Sequence, residues 1–158
     1  MKKLSYLFAA LLFGGLIFSG CSKDEEKPTP EPTPTETTIV YLISNVWEGI
    51  DGVVYTLSPC FHINFTYTDA DGKQVEVNDA TLPWEKSITV TSPFEAKLEG
   101  NFTYNEDELP EEVEFCKNIK INLPNAEEHE GTKNTKQKFI ELVETHPEKL
   151  SFSVSGKL

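Results

Sequence analysis

The most regular pattern in this sequence is an alternation of apolar and polar residues with a period of two. The alternation is clearest in Phe61–Tyr67 and Phe94–Tyr104, and it returns in Val113–Leu123 and Leu150–Val154. Because successive side chains of a strand point to opposite faces of a sheet, this period predicts strands with one buried and one solvated face. Shorter segments of the same character lie at 39–47, 53–58, 73–77 and 86–91.

Two further local signals complete the predicted fold. Asp69-Ala70-Asp71-Gly72 has the composition of a hairpin turn, in which Gly72 can adopt positive φ. Phe139, Leu142, Val143 and His146 follow helical spacing, and Pro147 ends that segment. The sequence therefore predicts a mainly β fold, an antiparallel β-sandwich of about eight strands with one short helix before the last strand. A partly closed β-barrel is the alternative.

The first twenty residues have the pattern of a secretory signal peptide. Lys2 and Lys3 are followed by the almost wholly apolar segment Leu4–Phe18 and then by the small residues Ser19 and Gly20. A transmembrane helix needs about 20 apolar residues, and this segment is shorter. We therefore expect residues 1–20 to be removed on export.

The segment Phe18-Ser19-Gly20-Cys21 resembles the lipobox of bacterial lipoproteins, although Phe18 stands where leucine is more usual. The resemblance implies cleavage before Cys21 and attachment of diacylglycerol and further acyl chains, such as palmitate, to that residue. Cys21-Ser22-Lys23-Asp24-Glu25-Glu26 is similar to the start of lipoproteins from the Bacteroidota. That similarity implies display on the outer face of the outer membrane, with the periplasmic face as the alternative. Several acyl chains would hold the protein firmly to the membrane.

A proline-rich segment separates this anchor from the predicted domain. Residues 28–36 alternate proline with threonine and glutamate. Since proline fixes φ and lacks a backbone donor, we expect residues 22–37 to form an extended spacer of about 50 Å. The sequence thus divides into a signal peptide (1–20), a lipidated Cys21 with its stalk (21–37) and a β-sandwich domain (38–158).

The charge of the chain argues against nucleic acid as a partner. Removing residues 1–20 removes two of the 14 lysines and none of the 26 acidic residues, which leaves a formal net charge of −14. The chain contains no arginine. Because nucleic-acid binding depends on neutralising phosphates with lysine and arginine, we predict no nucleic-acid partner.

Cys60 and Cys116 both fall on the polar positions of their predicted strands. If they are bonded, the disulfide lies on the outer face, and the strands near 60–68 and 112–123 must then be neighbours in one sheet. The pair lies 56 positions apart, as in immunoglobulin domains, but the positions of Trp84 and Glu114 do not fit that family. His62 shares the outer position of Cys60.

The same three residues, Cys60, His62 and Cys116, are a weak candidate for a zinc or copper site. A disulfide beside an unrelated surface histidine is the simpler interpretation, and we predict no cofactor. The acidic segments around Glu108, Glu112 and Glu128 are interpreted as solvated loops or protected sheet edges.

Trp47 and Trp84 are candidate stacking platforms for a sugar ring, with burial in the core as the alternative. The sequence contains no recognisable phosphate loop, nucleophile elbow or zinc-protease motif. We therefore expect a non-catalytic binding or adhesion module for a glycan or protein ligand, held to the membrane by its lipid. The alternatives are a small metal-dependent or hydrolytic envelope enzyme and a structural subunit of a surface assembly.

Overall fold

A computed structural model describes residues 34–158 of the chain. The predicted signal peptide, the lipidated Cys21 and the stalk as far as residue 33 lie outside these residues. The described part contains ten strands and one α-helix. The strands are β1 (Glu36–Ser44), β2 (Val46–Glu48), β3 (Val54–Thr56), β4 (Phe61–Thr68), β5 (Gln74–Val77), β6 (Trp84–Thr91), β7 (Glu95–Tyr104), β8 (Glu112–Ile121), β9 (Glu127–Thr135) and β10 (Ser151–Lys157). The helix is α1 (Lys136–Thr145).

Eight of these strands form two four-stranded antiparallel sheets. The first sheet has the order β6-β1-β8-β9, and the second has the order β10-β7-β4-β5. Within residues 34–158 the sheets do not close into a barrel, so the predicted antiparallel β-sandwich is confirmed. The remaining strands, β2 and β3, pair with each other as a separate hairpin.

The core lies between the two sheets and consists of the alternating apolar residues that the sequence pattern identified. Ile39, Tyr41 and Ile43 of β1 are fully buried, and they alternate with partly exposed neighbours. A group of aromatic side chains fills the middle of the core, with ring centroids 5.2–5.9 Å apart: Phe61, Phe102, Phe115 and Phe139. Such tilted and edge-to-face pairs add packing energy to the burial of apolar area.

The helix closes one side of this core. Phe139 and Val143, one turn apart, are its buried residues. The Thr135 side chain accepts a hydrogen bond from the Lys138 N–H at the first turn, and Pro147 follows the last. The helix immediately precedes a short 3₁₀ turn and β10, in agreement with the prediction. No helix of residues 34–158 is long and apolar enough to cross a membrane.

The predicted turn between β4 and β5 is also confirmed. The Asp69 carboxylate accepts hydrogen bonds from the N–H groups of Asp71 and Lys73, and Gly72 has a φ of 78°. Glycine is favoured at this position, since a β-carbon disfavours positive φ.

A buried lysine joins the two sheets where the edge strands β9 and β10 approach each other. Lys117 points inward from β8, on the same side as Phe115 and Ile119, and its side chain is only 5% exposed although it is charged. Its ammonium lies 2.7 Å from Glu128 Oε1 and donates to the Ser151 carbonyl at 3.2 Å. It also lies 3.3 Å from Glu130, which in addition forms an ion pair with Lys149. We call these four charged residues (Lys117, Glu128, Glu130 and Lys149) the edge network.

Candidate functional site

The two cysteines do not form the predicted outer-face pair. Cys60 precedes β4 in the second sheet, whereas Cys116 lies in the middle of β8 in the first sheet. Strand β4 pairs with β5 and β7, and β8 pairs with β1 and β9. The prediction that the strands near 60–68 and 112–123 are neighbours is therefore wrong. Both cysteines are free thiols and both are buried.

The burial of Cys116 has a specific cause. Its position on the outer side of β8 is the one that the alternation predicts, but the β2–β3 hairpin covers that side. Glu114, two residues before it, accepts hydrogen bonds from the Thr56 N–H and hydroxyl. Asn118, two residues after it, donates to the Val46 carbonyl at 2.7 Å. The hairpin is thus hydrogen-bonded to the residues on either side of Cys116 on the outer face of β8, and the exposed fraction of Cys116 is 0%.

Both thiols lie in surroundings that suppress their reactivity. Burial raises the pKa of Cys116 to about 11, and burial likewise raises the pKa of Cys60. Since the thiolate is the nucleophile and the metal ligand, neither cysteine is prepared for catalysis or for metal binding. Cys60 packs in the hydrophobic core instead.

His62 is not close to a pair of cysteines either. Its Nδ1 lies 2.6 Å from Asp79 Oδ1, and both side chains are more than half exposed. Residues 34–158 contain no group of three or more metal-binding side chains. The predicted cluster of Cys60, His62 and Cys116 is therefore not formed. The His62–Asp79 pair borders an open pocket of about 390 Å³ between the β3–β4 and β5–β6 connections.

The two tryptophans lie in different parts of the fold. Trp84 begins the edge strand β6 and packs inward against Phe65 and Tyr67, at ring-centroid distances of 4.6 and 5.4 Å. Trp47 lies in the hairpin, where its ring stacks with Tyr55 at 5.6 Å and with His129 at 5.9 Å. They do not share a face, and each ring already contacts two others. Both tryptophans are partly buried, and they do not form one exposed platform.

The feature that the sequence pattern did not identify is the outer surface of the same hairpin. In residues 34–158, the exposed large hydrophobic side chains all lie in one stretch of nine residues, 46–54, which comprises β2, the turn and the start of β3. They are Val46, Ile50, Val53 and Val54. Ile50 is fully exposed at the turn. Exposed apolar residues are common singly, but their concentration on one protruding element is typical of an interaction site.

The base of this hairpin is fixed to the sheet. Trp47 stacks on His129, and the Tyr55 ring lies directly above Gly131 of β9. Hydrogen bonds to Glu114 and Asn118 hold the two ends over β8. The hairpin therefore crosses from β8 to β9 with one face anchored and the other free.

The turn of the hairpin is ordered by its own hydrogen bonds. The Gly49 N–H donates to the Val53 carbonyl and the Gly52 N–H donates to the Gly49 carbonyl, both at 2.9 Å. Gly52 has a φ of 75°, and Asp51 Oδ1 accepts from the Val53 N–H at 3.1 Å. Gly49 and Gly52 bracket Ile50 and Asp51, a composition that is typical of a turn. An isoleucine at the tip of a turn is the unusual element that could have directed attention there.

The electrostatics of the hairpin are simple. Residues 44–58 contain the carboxylates of Glu48 and Asp51 and no lysine, and both carboxylates are exposed. On the face of β8 and β9 under the hairpin, Lys133 is paired with Glu114 at 3.0 Å and Lys120 with Glu127 at 3.5 Å. The hairpin thus presents an apolar surface with two negative charges.

Comparison with known proteins adds no family to this description. No protein-family model matches the chain, and no curated protein sequence matches it.

Proposed function

We propose that this chain is a lipid-anchored surface protein whose domain is a non-catalytic binding module, and that the β2–β3 hairpin is the element that contacts a protein partner. The single observation that carries the contact is the concentration of exposed apolar residues on the hairpin, with Ile50 fully exposed at its tip. A folded domain has no stability to gain from an exposed isoleucine, because the favourable term comes from removing apolar area from water. A partner that covers the tip would supply that burial.

The anchor part of the proposal rests on the sequence. The apolar segment before Cys21, the small residues Ser19 and Gly20 and the acidic residues after the cysteine together favour lipidation and display at the outer membrane. The proline-rich segment would then hold the domain away from the lipid surface.

A protein partner is favoured over a glycan by the surroundings of the aromatic rings. A sugar needs an open aromatic face, whereas Trp47 stacks with Tyr55 and His129, and Trp84 packs against the core. Aliphatic tips such as Ile50 fit apolar clefts of other proteins, where water exclusion is the main source of affinity.

The anchor is tested by Cys21→Ser in the full-length chain. We expect the variant to lose metabolic labelling with palmitate and to leave the membrane fraction. Retention in membranes with label present would contradict the lipid anchor and leave the hairpin proposal to be judged by its own test.

The contact is tested by photo-crosslinking on intact cells that display the full chain. The crosslinking amino acid p-benzoylphenylalanine replaces Ile50 in one variant and Ala70 in a matched control. Ala70 is an exposed residue in the polar turn between β4 and β5. We expect a discrete crosslinked protein from position 50 and none from position 70. Equal products from both positions, or none from position 50, would contradict the hairpin as a contact element.

A further inference from the structure

We infer that the partner of the hairpin is a protein that surrounds an apolar cleft with lysine or arginine side chains. This inference rests on the proposed function and adds the chemistry of the partner to it. The apolar cleft follows from the exposed isoleucine and valines, and the basic border follows from the charges around them.

The hairpin carries unneutralised negative charge beside its apolar tip. Glu48 lies at the end of β2 and Asp51 lies next to Ile50, while the nearest stretch of chain, residues 44–58, contains no lysine. The lysines on the sheet face below are already paired, Lys133 with Glu114 and Lys120 with Glu127. A partner that buries Ile50 must also approach both carboxylates, and a cationic border is the arrangement that makes this approach favourable.

The charge of the whole domain acts in the same direction. Residues 34–158 contain ten lysines and 22 acidic residues, a formal net charge of −12. The electric field of such a negative domain accelerates its association with a positively charged protein surface and slows its association with a negatively charged one. Two copies of this domain would bring Glu48 and Asp51 of one hairpin towards the same residues of the other, which disfavours a second copy as the occupant.

The position of the hairpin disfavours a lipid surface as the occupant. The chain enters the domain at Glu36, the start of β1, and the hairpin follows the other end of β1 at Ser44. The residues that it covers, such as Cys116, lie still farther along the sheet, because β8 pairs antiparallel to β1 with Ser44 opposite Asn118. The base of the hairpin therefore lies beyond the Ser44 end of β1, opposite the end at which the chain enters the domain. The domain's negative charge would also be repelled by anionic headgroups.

The experiment extends the crosslinking at position 50 on intact cells displaying the full chain. The crosslinked product is identified by mass spectrometry, and its yield is measured as NaCl rises from about 50 mM to about 500 mM, which shortens the Debye length to a few ångströms. The same measurement is made with Glu48→Gln and Asp51→Asn combined, since asparagine keeps the side-chain oxygen that accepts from the Val53 N–H. The control combines Glu36→Gln and Glu85→Gln, two exposed carboxylates on β1 and β6 that change the net charge equally.

The expected result is a single partner whose crosslinked peptide lies in a lysine- or arginine-rich surface. Its yield should fall at least about threefold in high salt and in the Glu48 and Asp51 variant, and by much less in the control. A product with a second copy of this chain, a lipid product, or a yield indifferent to salt and to the two carboxylates would overturn the inference. These outcomes differ from the absence of any position-specific product, which would contradict the proposed function itself.

Discussion

Gly131 lies directly beneath the aromatic ring of Tyr55, and this contact seats the β2–β3 hairpin on the first sheet. A β-carbon built on Gly131 would overlap the Tyr55 side chain at its Cβ, Cγ and Cδ2 atoms. Gly131 is also the register partner of Cys116 across the β8–β9 ladder. The glycine therefore permits the close approach that buries the thiol, and its φ plays no part in that role.

Gly131→Ala should lift the hairpin and expose Cys116. We expect a loss of about 1–3 kcal/mol in the free energy of unfolding, as for other overpacked sites. Under native conditions, Cys116 should react with iodoacetamide faster than in the native sequence, as measured by labelling of its peptide in mass spectrometry.

Gly72→Ala is the matched control for this change. Gly72 has a φ of 78° and open space around it, so alanine there destabilises the fold through backbone strain and leaves the hairpin in place. If both variants accelerate Cys116 labelling equally, the thiol is reached by global unfolding and the covering role of the hairpin is wrong.

Lys117→Met should destabilise the fold more than the loss of an exposed ion pair does. The substitution keeps the apolar stem of the side chain but removes the cation shared by Glu128 and Glu130. Because the two carboxylates are partly solvated, we expect a cost of about 2–4 kcal/mol in urea unfolding, below that of a fully buried pair. Lys120→Met, which removes an exposed pair with Glu127, should cost less than about 1 kcal/mol. Similar costs for the two variants would contradict the special role of Lys117.

The same network predicts a loss of stability in acid. Burial raises the pKa of Glu130, but Lys149 and Lys117 outweigh burial and hold the pKa below its ordinary value of 4.5. A carboxylate with a lowered folded pKa stabilises the fold above its unfolded pKa, and that contribution is lost as the pH falls through the folded pKa. The urea midpoint should therefore decline below about pH 4.5, and it should decline less steeply in Lys117→Met. An unchanged acid slope in that variant would argue against the coupling.

Tyr41→Phe should weaken the contact between the sheets and change the alkaline behaviour. The Tyr41 hydroxyl of β1 donates to the Thr68 carbonyl of β4 at 2.7 Å, and burial raises the pKa of Tyr41 to about 12. Losing the hydrogen bond should cost about 1–2 kcal/mol at pH 7. In the native sequence, the protonated Tyr41 stabilises the folded state fully below pH 10. This stabilisation is lost as the pH rises towards 12, because the phenol ionises at a lower pH in the unfolded chain than in the folded one. The variant should lack that part of the alkaline decline in urea titrations, and an identical decline would refute the assignment.

The sandwich could be predicted from sequence because its strands bury one face and solvate the other. Phe61, Ile63 and Phe65 are buried and alternate with exposed or half-exposed residues, as the pattern required. The sequence indicates a solvated loop or a protected sheet edge around Glu128, and this segment lies in β9, an edge strand of the first sheet. The pattern does not predict the strand itself, because its inward positions, Glu128, Glu130, Thr132 and Asn134, carry no apolar signal. Those carboxylates face inward because Lys117 meets them there, and a pairing between side chains of different strands leaves no periodic trace.

The environment of Cys116 could not be predicted for a related reason. The alternation placed it correctly on the outer side of β8, but a strand pattern says nothing about what covers that side. The hairpin that does so comes from residues about 60–70 positions earlier, and its docking depends on Gly131 and on single hydrogen bonds to Glu114 and Asn118. Strand order likewise depends on contacts between residues far apart in the sequence. For that reason the predicted pairing of the strands at Cys60 and Cys116 is wrong.

The most direct test of the central claim asks whether the apolar tip itself makes the contact. The crosslinking amino acid replaces Val53, an exposed residue of the hairpin, in the full-length chain on intact cells, with and without Ile50→Ser and Val54→Ser. Because Ile50 is fully exposed and Val54 is 49% exposed, the two serine substitutions together should change the free energy of unfolding by less than about 1 kcal/mol. The account predicts that the partner crosslinked from position 53 disappears in the serine variant while the urea midpoint stays in place. The same crosslinked partner at undiminished yield, on an equally stable domain, would contradict the hairpin tip as the binding surface.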